Sequence, residues 1–81
     1  MTKLEKKLIE LGYERGYHNM YHKNFSRIFI LTIEVYKKVI FGRVYSECRE
    51  FSSQDKIDDL QLAFNQLQND LEVLKKYENN N

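Results

Sequence analysis

The residues of this chain best suited to chemistry are two histidines and a cysteine. His18 and His22 are four positions apart, and on a helix that spacing would let both imidazoles bind one metal ion. On a strand the same two residues would lie about 13 Å apart, which is too far to share an ion. Cys48 could add a third ligand only if its strand folded beside the histidines. Because residues 13–24 favour a strand, we expect no metal site and no bound cofactor.

Nucleophilic and acid–base catalysis lack the residues that they need. Cys48 has no evident partner base, and the neighbouring Arg49 would point to the opposite face of a strand. Asp58 and Asp59 are adjacent on an exposed helix face, which is typical of solvated carboxylates. The three glycines are too scattered to form a phosphate-binding loop. We therefore expect that the protein is not an enzyme.

A second set of residues is suited to binding rather than to reaction. The chain has six tyrosines and five phenylalanines, and a tyrosine suits half-wet surfaces because its apolar ring carries a polar hydroxyl. Aromatic and arginine side chains anchor protein interfaces, and they also stack on bases and contact phosphates in single-stranded nucleic acid. Four such residues are expected to share one sheet face and to form the partner-binding site: Tyr36, Phe41, Arg43 and Tyr45.

The charge distribution leaves two classes of partner open. Net charge is +1, from 13 Lys and Arg against 12 Asp and Glu. Residues 1–50 hold ten basic and six acidic side chains, whereas residues 51–81 hold three and six. The basic, aromatic sheet side keeps a single-stranded nucleic-acid binder as the alternative, but a protein partner is the leading interpretation. No apolar run approaches the ~18 residues of a membrane span, so a cytoplasmic location without membrane contact is expected.

Two helices are predicted at the two ends of the chain. The first has the capping-box spacing of Thr2 and Glu5 and is expected to end at Gly12, because a glycine in the left-handed conformation commonly terminates a helix. The second covers residues 53–77 and is expected to be capped by Ser52 or Ser53. Its apolar residues recur at intervals of three and four, which predicts one core-facing stripe made of Ile57, Leu60, Phe64, Leu67, Leu71 and Leu74.

Three strands are predicted between the helices, at residues 13–24, 27–36 and 39–48. The first is expected to be an irregular edge strand near Gly16. A two-residue turn at residues 37–38 would pair Val35 with Ile40 and Leu31 with Val44 on the core face. That register places the four partner-binding residues on the opposite face. The opposite register would bury Phe41 and Tyr45 instead, and it stays open at this point.

Together these elements predict an α+β fold in the order α-β-β-β-α. We expect a three-stranded antiparallel meander with two helices packed on one face, forming a single domain over residues 1–78, and a disordered tail at 79–81. The second helix is longer than a small sheet can cover. Either the first helix covers the excess, or the end of the stripe pairs with a second copy in a homodimer. The self-association residues would then be Leu67, Leu71 and Leu74.

Two helical segments carry a resemblance to a group of known proteins. The segments LEKKLIELGY at 4–13 and IDDLQLAFNQLQNDL at 57–71 resemble small uncharacterised accessory proteins of phages and prophages of low-GC Gram-positive bacteria. The resemblance covers the two helices and transfers no functional residue. It implies a protein that binds and inhibits a host factor, as anti-CRISPR proteins do. We therefore expect a small non-enzymatic module that occupies a surface of a larger host protein in the host cytoplasm.

Overall fold

The structure, a computed structural model, describes residues 2–37, 39–46 and 53–77. Its elements in chain order are α1 (Lys3–Glu10), β1 (Glu14–Arg15), β2 (Met20–Asn24), β3 (Phe29–Tyr36), β4 (Val39–Ser46) and α2 (Gln54–Lys75). The strands form one antiparallel sheet in the order β1-β2-β3-β4. Buried residues of both helices pack in one cluster with the inward side chains of the sheet. The α+β class is confirmed, but the sheet has four strands where three were predicted.

The additional strand comes from a hairpin within residues 13–24. The chain reverses between β1 and β2, where the Gly16 N–H donates to the Met20 carbonyl at 2.7 Å and the Met20 N–H donates to the Tyr17 carbonyl at 3.1 Å. His18 and Asn19 have positive φ values of 50° and 28°. The prediction of a single irregular strand is wrong, because what was expected as an irregularity near Gly16 is a complete turn. β1 has only two residues, which is too short for an alternation pattern to reveal.

α1 begins and ends as its sequence predicts. The Thr2 hydroxyl accepts a hydrogen bond from the Glu5 N–H at 3.1 Å, which caps the first turn. Gly12 has a φ of 98°, and the N–H of Tyr13 donates to the carbonyl of Leu8 at 3.0 Å across the helix end. Tyr13 and Leu8 are both buried, so the cap also brings an aromatic ring into the core. The helix end therefore fixes the position of Tyr13.

The register of β3 and β4 is the one expected from a two-residue turn. Val35 pairs with Ile40 and Leu31 pairs with Val44, within eight uninterrupted pairs. Lys37 has a φ of 54°, the left-handed conformation that such turns require. β4 ends at Ser46. Several predictions fall on residues outside the described ones. They concern residue 38 of the turn, the end of the third strand with Cys48, Arg49, the alternative cap at residue 52, the domain end at residue 78, and the 79–81 tail.

The core-facing side of α2 differs from the predicted stripe. The buried residues of this helix are Ala63, Leu67, Asp70 and Leu74. Phe64 is 43% exposed and Ile57 is 45% exposed, so the prediction that these two face the core is wrong. The helix is rotated to bring Asp70 inside. The reason is a set of polar partners for Asp70 on other elements, described below.

α2 approaches the sheet closely at Gly42 of β4. A Cβ atom at this position would lie 2.8 Å from Leu71 Cδ1 and 3.1 Å from Leu67 Cδ1, so glycine permits the contact. Leu67 and Leu74 are buried within the chain, and Leu71 is partly buried against the same core. The three leucines considered for self-association therefore pack in or against the intramolecular core, and their part in a homodimer stays a prediction.

Candidate functional site

The face of the sheet opposite the helices is here called the open face. Alternation along each strand assigns to it every second residue of β2, β3 and β4. The paired positions place these side chains in rows across the sheet. The residues of the open face are Met20, His22, Asn24, Ile30, Thr32, Glu34, Tyr36, Val39, Phe41, Arg43 and Tyr45. No described helix covers them, and several of these side chains are exposed to solvent.

The open face exposes large apolar side chains along β4 and the adjoining turn. Tyr36, Val39, Phe41 and Tyr45 are each between 49% and 55% exposed. Tyr36 and Val39 are directly opposite one another, and Phe41 and Tyr45 follow on the same face of β4. Tyr36, Val39 and Phe41 are neighbours, and Arg43 lies between Phe41 and Tyr45 on β4. Exposed apolar side chains grouped on one face are typical of an interaction site, whereas single exposed apolar residues are ordinary.

Polar groups occupy the middle of the open face. Arg43 Nη2 lies 3.3 Å from Glu34 Oε2 in a solvent-exposed ion pair. His22 Nδ1 lies 3.3 Å from the hydroxyl of Thr32, which is buried between the residues paired with it on the two neighbouring strands. The Lys37 ammonium lies 5.6 Å from the centre of the Tyr36 ring, within reach of a cation–π contact. The face thus combines aromatic anchors with both signs of charge.

A shallow depression of about 440 Å³ lies at one end of the open face. Tyr45 and Arg43 line it from β4, and Met20 and His22 line it from β2. Ile30 and Thr32 also line it. Its walls are largely apolar, and its size would accommodate a large side chain of a partner.

The structure places the four residues predicted to bind a partner on one face of the sheet, and the two histidines considered for metal binding in a turn and in a strand. Tyr36, Phe41, Arg43 and Tyr45 all belong to the open face. His18 lies in the turn before β2, whereas His22 lies within β2. Among residues 2–37, 39–46 and 53–77, no group of three His, Cys, Asp or Glu side chains could hold a metal ion.

A buried polar cluster on the helix side of the sheet was not predicted. The carboxylate of Asp70 accepts hydrogen bonds from the Tyr13 hydroxyl at 2.7 Å, from Lys23 Nζ at 2.8 Å and from Gln66 Nε2 at 3.0 Å. Lys23 Nζ also donates to the Leu11 carbonyl at 2.9 Å and lies 4.6 Å from the centre of the Tyr13 ring. Each buried polar group here has a partner, so the cluster positions α2 against β2 and the end of α1.

The cluster changes the acidity of Tyr13. Burial raises the pKa of the Tyr13 phenol far above its ordinary value of 10.0, and the hydrogen bond to Asp70 and the negative charge of Asp70 raise it further. Burial also raises the pKa of Tyr21 above its ordinary value. A phenol with a raised pKa in the folded state contributes stability that is fully present below about pH 10 and is lost as the pH rises further.

The raised pKa of Tyr13 in the folded protein predicts a loss of stability at alkaline pH that depends on this residue. We expect the unfolding free energy of the wild type to fall by about 1.4 kcal/mol more than that of Tyr13→Phe by about pH 11, because only the wild type must keep this phenol neutral. Urea unfolding of both proteins at several pH values measures the difference. Tyr21 titrates in both, so it cancels to first order. Parallel pH profiles for the two proteins would contradict the prediction.

No protein family, curated protein or solved structure is found to match this chain. Neither described helix is long and apolar enough to cross a membrane. A functional interpretation therefore depends on the geometry of the open face and on the chemistry of its side chains.

Proposed function

We propose that this protein is a small non-enzymatic binding module that acts by occupying a surface of a larger protein through its open face. The observation that supports the proposal best is the apolar patch of Tyr36, Val39, Phe41 and Tyr45, each about half exposed on one side of the sheet. Tyrosine and arginine are enriched among the residues that contribute most to protein interfaces. The resemblance of the helices to phage accessory proteins agrees with an inhibitor of a host factor, an anti-CRISPR-like inhibitor included.

The charges of the open face favour a protein over a nucleic acid. Arg43, the one arginine among the described residues of this face, is engaged by Glu34 at 3.3 Å. Glu14 lies opposite His22 at the far side of the same face. A phosphate backbone would meet two carboxylates there, against Lys37 at the turn and an arginine that already has a partner. That balance weakens the electrostatic attraction on which nucleic-acid binding depends. A protein partner can complement both signs of charge.

Truncation of Tyr45 tests the proposal. We expect Tyr45→Ala to weaken capture of the partner by more than about 1 kcal/mol, at least about fivefold in Kd, because Tyr45 is a large exposed side chain that lines the apolar depression. Affinity capture with tagged protein from a nuclease-treated Gram-positive lysate, quantified by mass spectrometry, identifies proteins retained by the wild type. The affinity of each for the wild type and for Tyr45→Ala is then measured with purified components.

Tyr17→Ala is the matched control for this experiment. Tyr17 is 86% exposed, but it lies in the turn between β1 and β2 and not on the open face. The Tyr17→Ala variant loses the same type of side chain outside the open face, so its affinity for the partner should equal that of the wild type. Circular dichroism establishes that both variants are folded. Equal loss in both variants, or no loss in Tyr45→Ala, would contradict the proposed surface.

The nucleic-acid alternative has a distinct outcome. A labelled single-stranded oligonucleotide should bind weakly, and Arg43→Glu should change that binding little. Tight binding with a steep salt dependence, abolished by Arg43→Glu, would instead show a nucleic-acid interface.

A further inference from the structure

The two edges of the sheet differ in how they are protected from other strands. β1 is two residues long, and both of its residues, Glu14 and Arg15, are charged and exposed. β4 is eight residues long, pairs with β3 without a bulge, and carries one charged residue, Arg43. No described strand pairs with its outer side. Proteins usually protect an edge by shortness, charge or a bulge, because free N–H and C=O groups otherwise accept another strand. β4 has none of these except its central charge.

We propose that β4 pairs with β4 of a second copy of this chain, antiparallel and around a two-fold axis at Gly42. A two-fold axis perpendicular to the sheet keeps the helices of both copies on the same side and extends the sheet to eight strands. Residues 39–45 of each copy then pair with each other. This inference goes beyond the proposed function, because it uses the edge of β4 and leaves both open faces exposed.

The side chains of β4 favour this register over its neighbours. With Gly42 at the axis, Phe41 lies opposite Arg43 of the second copy, a favourable aromatic–cation pair on the open face. Val39 lies opposite Tyr45 on the same face, and Ile40 lies opposite Val44 on the helix side. A register centred on Arg43 would place the two guanidinium groups against each other, and one centred on Phe41 would pair fewer residues. The strand is thus self-complementary around Gly42.

The exposed side of α2 supports the same partner. Residues seven apart lie nearly in line on a helix, so Ile57 and Phe64 continue the row of Leu71, which contacts β4 at Gly42. Asp70 lies on the other flank, toward Lys23 of β2. The two exposed residues, 45% and 43% accessible, therefore lie on the β4 side of the helix. A two-fold axis at Gly42 passes near Leu67 and Leu71, so the last turn of α2 of the second copy lies beside Phe64. Ile57, two further turns along the helix, lies beyond the end of that α2 and stays exposed.

The spacing of the two helices is compatible with packing. Strands lie about 4.8 Å apart, so β4 is about 2.4 Å from the axis and β3 about 7 Å. α2 packs over both strands. A helix centred between them lies about 5 Å from the axis, which separates α2 of the two copies by about 10 Å, close to the usual interaxial distance of packed helices.

A charge placed at residue 41 tests the register. Phe41→Arg puts two cations opposite each other twice in the dimer, so we expect its dimer dissociation constant to rise about tenfold or more. Phe41→Glu removes the same ring but faces Arg43 of the second copy, so we expect its dimer to be at least as stable as that of Phe41→Ala. Sedimentation velocity over roughly two orders of magnitude in protein concentration measures the dissociation constant of each.

Two controls separate the interface from general effects. Tyr17→Arg makes the same change in charge outside β4 and should leave the dissociation constant unchanged. On α2, Phe64→Glu should weaken the dimer, whereas Leu62→Glu, on the opposite side of the helix, should not. Circular dichroism checks folding, because Phe41 lies opposite Glu34 within the chain. A wild type that is monomeric throughout, or equal effects of Arg and Glu at residue 41, would overturn the proposal, and neither result would affect partner capture by the open face.

Discussion

Replacing Asp70 with alanine is expected to lower the free energy of unfolding by about 3–5 kcal/mol, the cost of removing one partner from a buried ion pair. The substitution leaves the Tyr13 hydroxyl buried without an acceptor and leaves the Lys23 ammonium, 18% exposed, without its carboxylate. Small domains have only about 5–15 kcal/mol of stability in total, so this single change removes a large share of it. Urea unfolding followed by circular dichroism measures the loss.

Two comparisons identify the buried cluster as the cause. Asp59→Ala removes an exposed carboxylate from the same helix and should change stability by less than about 0.5 kcal/mol. The triple variant Tyr13→Phe, Lys23→Met and Asp70→Leu replaces the polar groups with apolar ones of similar size, and it should recover most of the lost stability. If Asp70→Ala is as stable as Asp59→Ala, the cluster does not hold the helix in place.

Leu31→Ala is expected to destabilise the fold by about 2–5 kcal/mol, whereas Phe64→Ala should cost only about 1 kcal/mol. Leu31 is fully buried in a central strand, so its truncation leaves a cavity beneath the helices. Phe64 loses a larger side chain, but much of that side chain is already in water. Urea midpoints measured at low protein concentration, where association contributes least, compare the two variants.

The order of these two effects distinguishes the observed orientation of α2 from the predicted one. The apolar stripe of the sequence places Phe64 in the core, and a core phenylalanine would cost at least as much as Leu31. A larger loss for Phe64→Ala than for Leu31→Ala would therefore show that α2 presents its apolar stripe to the sheet after all.

The buried face and the β3–β4 register of the sheet could be predicted from the sequence, whereas the orientation of the helix that covers the sheet could not. In β3 the alternation of apolar residues determines which face is buried, and a two-residue connection then fixes every pair with β4. Both signals are local. The β1–β2 hairpin was not predicted, because β1 is too short to show an alternation pattern. His18 and Asn19 adopt positive φ in the turn, but their residue types do not by themselves require it.

The orientation of α2 could not be predicted because two stripes overlap on this helix. One is wholly apolar and includes Phe64, and the other passes through Asp70. Local periodicity favours the first, because a buried carboxylate is costly without partners. Its partners are Tyr13 and Lys23, on elements far away in the sequence. The one available signal was the position of Lys23, which shares the inward face of β2 with Tyr21.

The separation of these partners along the chain has a consequence for how the protein folds as it is made. Tyr13 and Lys23 precede Asp70 by 57 and 47 residues, so both are synthesised and emerge from the ribosome before the carboxylate that accepts their hydrogen bonds. Until then the nascent sheet has an ammonium group and a phenol on the side that will become the interior, and water must solvate them. α2, which is translated after all four described strands, supplies the acceptor and the apolar cover together. The sheet can therefore reach its native arrangement only after α2 has been translated.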